Sequence, residues 1–238
     1  MGYRPGGELA ARPLHFIWIA DASSSMRYEG KIQALNQAIR EALPHMRDVA
    51  RENPHAEVLV RAISFSSSAR WHVDSPTGVE GFEWPDLQSS GYTAMGEALE
   101  LLAEALDVEE MSSRALPPVL VLLSDGQPTD NFGAGLKALM DKPWARKAVR
   151  IAIAIGGDAD RDVLQRFIGH PEIQPLEANH PEALVDHIRW ASTAVLQAVS
   201  SPMSQLHGQS RGSGNVVLPS LPGSAGASQT KVDANDIW

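Results

Sequence analysis

Apolar runs bounded by turn residues recur at residues 15–20, 58–65, 119–123 and 149–155. Continuous apolar runs of this length read as strands buried on both faces. The stretches between most of them carry helical periodicity instead. Over residues 31–51, Ile32, Leu35, Ile39, Leu43, Met46 and Val49 fall at steps of three and four, which places them on one helical face, with a kink expected at Pro44. A second amphipathic helix carries Leu99, Leu102 and Leu106, and a last one begins near Pro181 and uses Leu184, Ile188, Val195 and Val199.

Strands separated by helices imply right-handed crossovers and a mainly parallel sheet covered on both faces. The connection from Phe65 through Ser66, Ser67 and Ser68 to Trp71, His72 and Val73 is too short for a crossover, so the third strand is expected as an antiparallel edge hairpin. A weaker last strand is expected over residues 173–176. The expected fold class is therefore α/β: a doubly wound, mainly parallel six-stranded sheet with one antiparallel edge strand and helices on both faces. Ligands of such open sheets bind beyond the carboxyl ends of the strands, where the winding direction reverses.

The chain has 238 residues, 43% of them hydrophobic, enough for one α/β domain with a large core. The expected division is an extension over residues 1–12, a domain over 13–200 and a flexible tail over 201–238, where Ser, Gly and Pro replace any regular period. The acidic, aromatic end of that tail, from Asp233 to Trp238, also suits a tethered docking peptide. A net charge of −9 repels phosphate backbones and anionic membranes, so neither nucleic acid nor membrane is an expected partner. The absence of cysteine removes disulfides, thiolate metal sites and cysteine nucleophiles. With no signal-peptide core or bilayer-length apolar run, the chain reads as cytoplasmic.

Candidate chemistry concentrates at strand ends. The first apolar run leads directly into Asp21, Ser23 and Ser25, a carboxylate and two hydroxyls at alternate positions. Such hard oxygens suit Mg²⁺ rather than zinc or copper. Thr93 stands just ahead of the helix of Leu99, and Asp125 ends the run 119–123 before the turn Gly126-Gln127-Pro128-Thr129-Asp130. Each has a plainer reading: Asp and Ser serve ordinary turns, Thr93 could cap its helix, and Asp125 could begin a turn.

Taken in order, Asp-x-Ser-x-Ser, Gly91-Tyr92-Thr93 and apolar strand-Ser124-Asp125-Gly126 resemble the von Willebrand factor A (VWA) domain and its metal-ion-dependent adhesion site, in a Rossmann-like fold. The resemblance implies hydroxyl ligands at Ser23, Ser25 and Thr93, and carboxylates at Asp21 and Asp125 acting largely through bound water. It departs at Ser24, where many members have Gly. Within the family the chain is similar to short bacterial tellurium-resistance (TerY-like) proteins, which are associated with a protein kinase and a protein phosphatase in stress and conflict systems. The implied function is Mg²⁺-dependent protein binding, with Mn²⁺ as a substitute, in which a partner presents Asp or Glu to an open coordination position.

An enzyme is the alternative, because Mg²⁺ beside a strand-end aspartate is also the layout of haloacid-dehalogenase-type phosphoryl transfer, with Asp21 as the phosphorylated group. Those enzymes carry a second aspartate two residues on, where this chain has Ser23. Hydrolase-elbow, phosphate-loop and His-Glu-x-x-His signatures are absent. A structural scaffold with an incidental site is the third reading. Asp158-Ala159-Asp160-Arg161-Asp162 resembles the start of a calcium loop, but Val163 replaces the required Gly, and capping of a helix over residues 162–167 explains it better. Gly133-Ala134-Gly135 reads as a helix start. Trp71, Trp84 and Tyr92 could form a hydrophobic rim around the metal, or the two tryptophans could cover the edge strand.

Overall fold

The computed structural model describes residues 11–200. Six strands form one sheet in the order β3-β2-β1-β4-β5-β6: β1 (Arg12–Asp21), β2 (Ala56–Phe65), β3 (Ala69–Gly78), β4 (Val119–Ser124), β5 (Val149–Ile155) and β6 (Leu176–Ala178). All neighbours are parallel except β2 and β3, which pair as the expected antiparallel hairpin at the edge. Strand β3 carries Pro76, which an edge tolerates because one side of the strand needs no donors.

Alternation along each strand sorts side chains between two cores. Phe16, Trp18 and Ala20 of β1, Val121 and Leu123 of β4, and Ile153 and Ile155 of β5 face α1 (Lys31–Glu52) and α6 (Pro181–Trp190). Ile17, Ile19, Leu120, Leu122, Ala152 and Ala154 face α2 (Met95–Ala105), α3 (Phe132–Asp141) and α5 (Arg161–Ile168). Because both faces are covered, the central strands show the unbroken apolar runs of the sequence rather than a polar-apolar alternation. Short α4 (Pro143–Lys147) leads into β5, and α6 continues through a π-helical turn, Ala191–Val195, into α7 (Leu196–Ser200).

Three local details add to or adjust the expectations. Helix α1 continues through Pro44 to Glu52. Pro44 is exposed there, so the carbonyl its missing N–H leaves unbonded can turn to water. The last strand is Leu176–Ala178 rather than 173–176, because Pro175 has no N–H for a ladder and pairing with Ile153 begins only at Leu176. Trp84 is buried: its indole N–H donates to Asn36 Oδ1 at 3.0 Å, and its ring meets His72 edge-on at 4.9 Å. Asn36 also bonds both backbone groups of Leu87, which pins the long loop between β3 and α2 to α1. The tail expected over 201–238, and any docking peptide within it, lies outside the described residues.

Candidate functional site

Strands β1 and β4 lie side by side at the centre of the sheet, with Ala20 paired to Leu123. Their connections leave toward opposite edges, so Asp21 and Asp125 emerge together where the winding reverses. Asp21 has no exposed surface, and Ser23, Thr93 and Asp125 are also buried. Ser25 is half-buried at the start of a 3₁₀ turn, Ser24–Gly30.

Three loops are tied together around these residues. Asp21 Oδ1 accepts the Ser23 N–H at 2.8 Å, an Asx turn that folds the chain back beyond β1. The Ser23 and Ser25 hydroxyls lie 2.8 Å apart, on one side of that turn. The loop before α2 docks on it through Ser90 N–H to the Ala22 carbonyl, 2.8 Å, and Ser24 N–H to the Gly91 carbonyl, 3.1 Å. Gly91 is needed there, since its φ is 74° and a Cβ would collide with Ser67 Oγ. Thr93 is clamped to the third loop reciprocally: its N–H donates to Thr129 Oγ1 at 3.0 Å and its carbonyl accepts the Thr129 N–H at 2.9 Å.

Side chains with no expected role do the positioning. The Ser124 hydroxyl donates to Asp21 Oδ2 at 2.6 Å and accepts the Gly126 N–H at 2.8 Å, which links the ends of β1 and β4. Asp130 accepts the Gly96 and Glu97 N–H groups at 2.9 and 2.8 Å and so caps α2 from the third loop. Thr93 does not cap that helix; Ala94 occupies the N-cap and has no capping side chain. The decoy at Asp158 resolves as expected, with Asp160 capping α5 through Val163 N–H at 3.1 Å. Gly133 to Gly135 open α3, capped by Asn131.

The electrostatics are those of two buried acids side by side, one of them with an unpartnered oxygen. Burial, and then the charge of Asp125, push the Asp21 carboxyl up to about 6, against the hydrogen bonds from Ser124 and Ser23. Burial also raises Asp125, opposed by Ser25 and the positive charge of Lys31. Asp125 Oδ2 is buried and accepts no hydrogen bond. Of the three aromatic rim candidates, only Tyr92, 71% exposed, stays at the surface beside Thr93; Trp71 lies on the edge strand beneath the Arg61 guanidinium, 3.6 Å from its ring centre. A cavity of about 310 Å³ lies between α1 and α6, and none of the five candidate residues lines it.

The family model of the von Willebrand factor type A domain matches residues 17–183, most of the chain. The chain belongs to that family. The VWA fold is shared with solved structures of low identity. A von Willebrand factor type A protein from Catenulispora acidiphila is 16% identical at TM-score 0.61, over 79% of this chain and 43% of that one. The pilus adhesin SpaC of Lactobacillus rhamnosus GG is 14% identical at TM-score 0.63, over 79% and 31%. The PilB minor pilin of Streptococcus sanguinis is 14% identical at TM-score 0.58, over 83% and 64%. The chain thus spans less than two thirds of each of these proteins. No curated protein sequence matches it. Among the described residues of this VWA domain, no helix is long and apolar enough to cross a membrane.

Proposed function

We propose that this VWA domain binds a partner protein through a divalent cation, Mg²⁺ or Mn²⁺, held by Asp21, Ser23, Ser25, Thr93 and Asp125. An Asp or Glu side chain of the partner completes the coordination. The observation that carries this reading is the buried Asp125 Oδ2, which accepts no hydrogen bond beside a second buried carboxylate. Two carboxylates in one desolvated place are costly, and a cation relieves both. Among the described residues no three His, Cys, Asp or Glu side chains gather as a metal cage, so the hydroxyls must supply part of any coordination. An all-oxygen set with neutral hydroxyls suits Mg²⁺ and binds it modestly. When bound, the cation supplies a Lewis-acidic position that an external carboxylate can occupy. The protein's own groups orient the ligands: Ser124 and the Ser23 N–H hold Asp21, and Thr129 holds Thr93.

An interaction role also agrees with the likeness to a pilus adhesin and a minor pilin. The finer assignment to the TerY-like group, with a kinase and a phosphatase as partners in a cytoplasmic stress response, rests on the run from Asp21 to Met26 and the turn from Ser124 to Asp130. Phosphoryl transfer on Asp21 is disfavoured, because a nucleophile needs an oxygen facing its substrate. Asp21 is fully buried with both oxygens engaged.

Thermal unfolding in EDTA and then in Mg²⁺ or Mn²⁺ tests the site. At ten times Kd a native-state ligand adds about 1.4 kcal/mol, equivalent to a rise of roughly 3–5 °C for a domain of this size. Asp21→Ala and Ser25→Ala should abolish the increment. A wild-type protein whose unfolding ignores millimolar Mg²⁺ and Mn²⁺ would sink the proposal.

A further inference from the structure

Lys31 sits at the first position of α1, is only 4% exposed, and has an αL glycine, Gly30, immediately before it. Three features oppose a cation there. An ammonium loses its hydration on burial, the positive end of a helix dipole repels it, and the first turn of α1 contains no acidic residue. The neighbouring chain nevertheless makes room for it. Gly156, at the end of β5, has φ 90°, and a Cβ there would lie 2.6 Å from Lys31 Nζ. The ammonium is held 3.4 Å from Asp158 Oδ1, whose side chain is mostly exposed. The loop that holds the ammonium is itself fastened to the turn of Asp125, the acid with an unpartnered oxygen: the Asp125 carbonyl accepts the Asp160 N–H at 2.9 Å, and Gln127 Nε2 donates to the Asp158 carbonyl at 3.1 Å.

We propose that Lys31 is a tethered counter-cation of Asp125: it offsets that charge in the metal-free protein and thereby weakens divalent-cation binding. This rests on the metal-binding reading above. The ammonium stands outside the ligand set and acts by repulsion on an incoming cation and attraction to Asp125. Lys31 is thus a positioning residue that sets how much cation the site needs. The competing role is a latch, in which Lys31 and Asp158 merely fasten the loop after β5 to the start of α1.

Lys31→Met and Lys31→Gln, Asp125→Asn, Asp158→Asn and the Lys31→Met/Asp125→Asn pair separate these roles. Melting temperatures in EDTA read the charge coupling without metal, and calorimetric titration with Mg²⁺ reads the affinity. Removing the charge should lower the metal-free melting temperature, with a smaller loss when Asp125 is already Asn. It should also tighten Mg²⁺ on the order of ten-fold, the scale of one screened charge near a divalent ion. A latch would give equal losses for Lys31→Met and Asp158→Asn, no coupling to Asp125→Asn and an unchanged Mg²⁺ affinity. That result overturns the proposal and leaves the metal site standing. Failure of wild type and both Lys31 variants alike to bind Mg²⁺ would remove the metal reading and the tuning together. If Lys31→Met does not fold, Lys31→Gln carries the same comparison.

Discussion

Asp21 ends β1 with no exposed surface and a carboxyl raised to about 6, chiefly by burial and then by the charge of Asp125. A group whose folded pKa exceeds its unfolded value binds protons more tightly in the fold. Its ionisation therefore erodes stability as pH rises from about 4 to about 6, and the whole penalty is present at neutral pH. Asp21→Asn removes the charge while keeping an acceptor for the Ser23 N–H. In EDTA at pH 7.5 the variant should be more stable than wild type, on the order of 2–3 kcal/mol from a shift of this size. The gap in urea midpoints should close as pH falls toward 4. A gap that stays constant with pH would assign the effect to packing. The same variant should lose Mg²⁺ stabilisation, which separates stability from function at one atom. Asp21, Ser23 and Ser25 were legible because they follow one another within five positions; the roles of Ser124 and Lys31 were not, because a lone Ser and a lone Lys carry no signature until a fold sets them against distant acids.

Helix α2 begins without a capping side chain of its own, and Asp130, 34 positions away, provides the cap. Sequence rules for caps compare a residue with neighbours three positions on, so they assigned the role to Thr93 or to nothing. Asp130→Ala leaves two helix N–H groups unbonded and should cost about 1–2 kcal/mol in urea denaturation in EDTA. Because the same loop clamps Thr93 through Thr129, Mg²⁺ affinity should fall as well. Thr93→Val, which keeps the shape and removes the hydroxyl, should lower Mg²⁺ affinity with little change in metal-free stability. Equal stability losses for the two variants would show that Thr93 serves the helix and not the ligand set. The other elements were legible wherever an apolar period ran unbroken, as in β1, β4 and α1. They were misplaced where one residue's chemistry intervened, as at Pro175 ahead of β6.

Across the whole molecule, two histidines are expected to shape stability in acid. His15 is held below its ordinary pKa by burial and the nearby Arg61 charge, and His187 by burial against the Glu177 carbonyl. Both protonate more readily in the unfolded chain than in the fold. Their contribution is therefore intact above about 6.5 and is lost as pH falls below it. In EDTA this opposes Asp21, so the Asp21→Asn background should show the acid loss plainly between pH 7 and 5. His15→Gln with His187→Gln should flatten it; an unchanged slope would exclude the histidines as its source. The sheet was readable from the chain, since apolar runs alternating with amphipathic helices admit few arrangements other than a doubly wound sheet with right-handed crossovers. The sequence by itself determined the fold class, the two-faced burial of the central strands and the identity of the oxygen-bearing residues, all of which follow from local periodicity and residue type. Only the tertiary structure decided which atoms meet: that Ser124 reaches Asp21, that Asp130 caps a helix it does not belong to, and that an ammonium lies buried near Asp125. Such contacts join positions up to about a hundred residues apart, and their partners are fixed by the order and register of strands, which no local window of sequence contains.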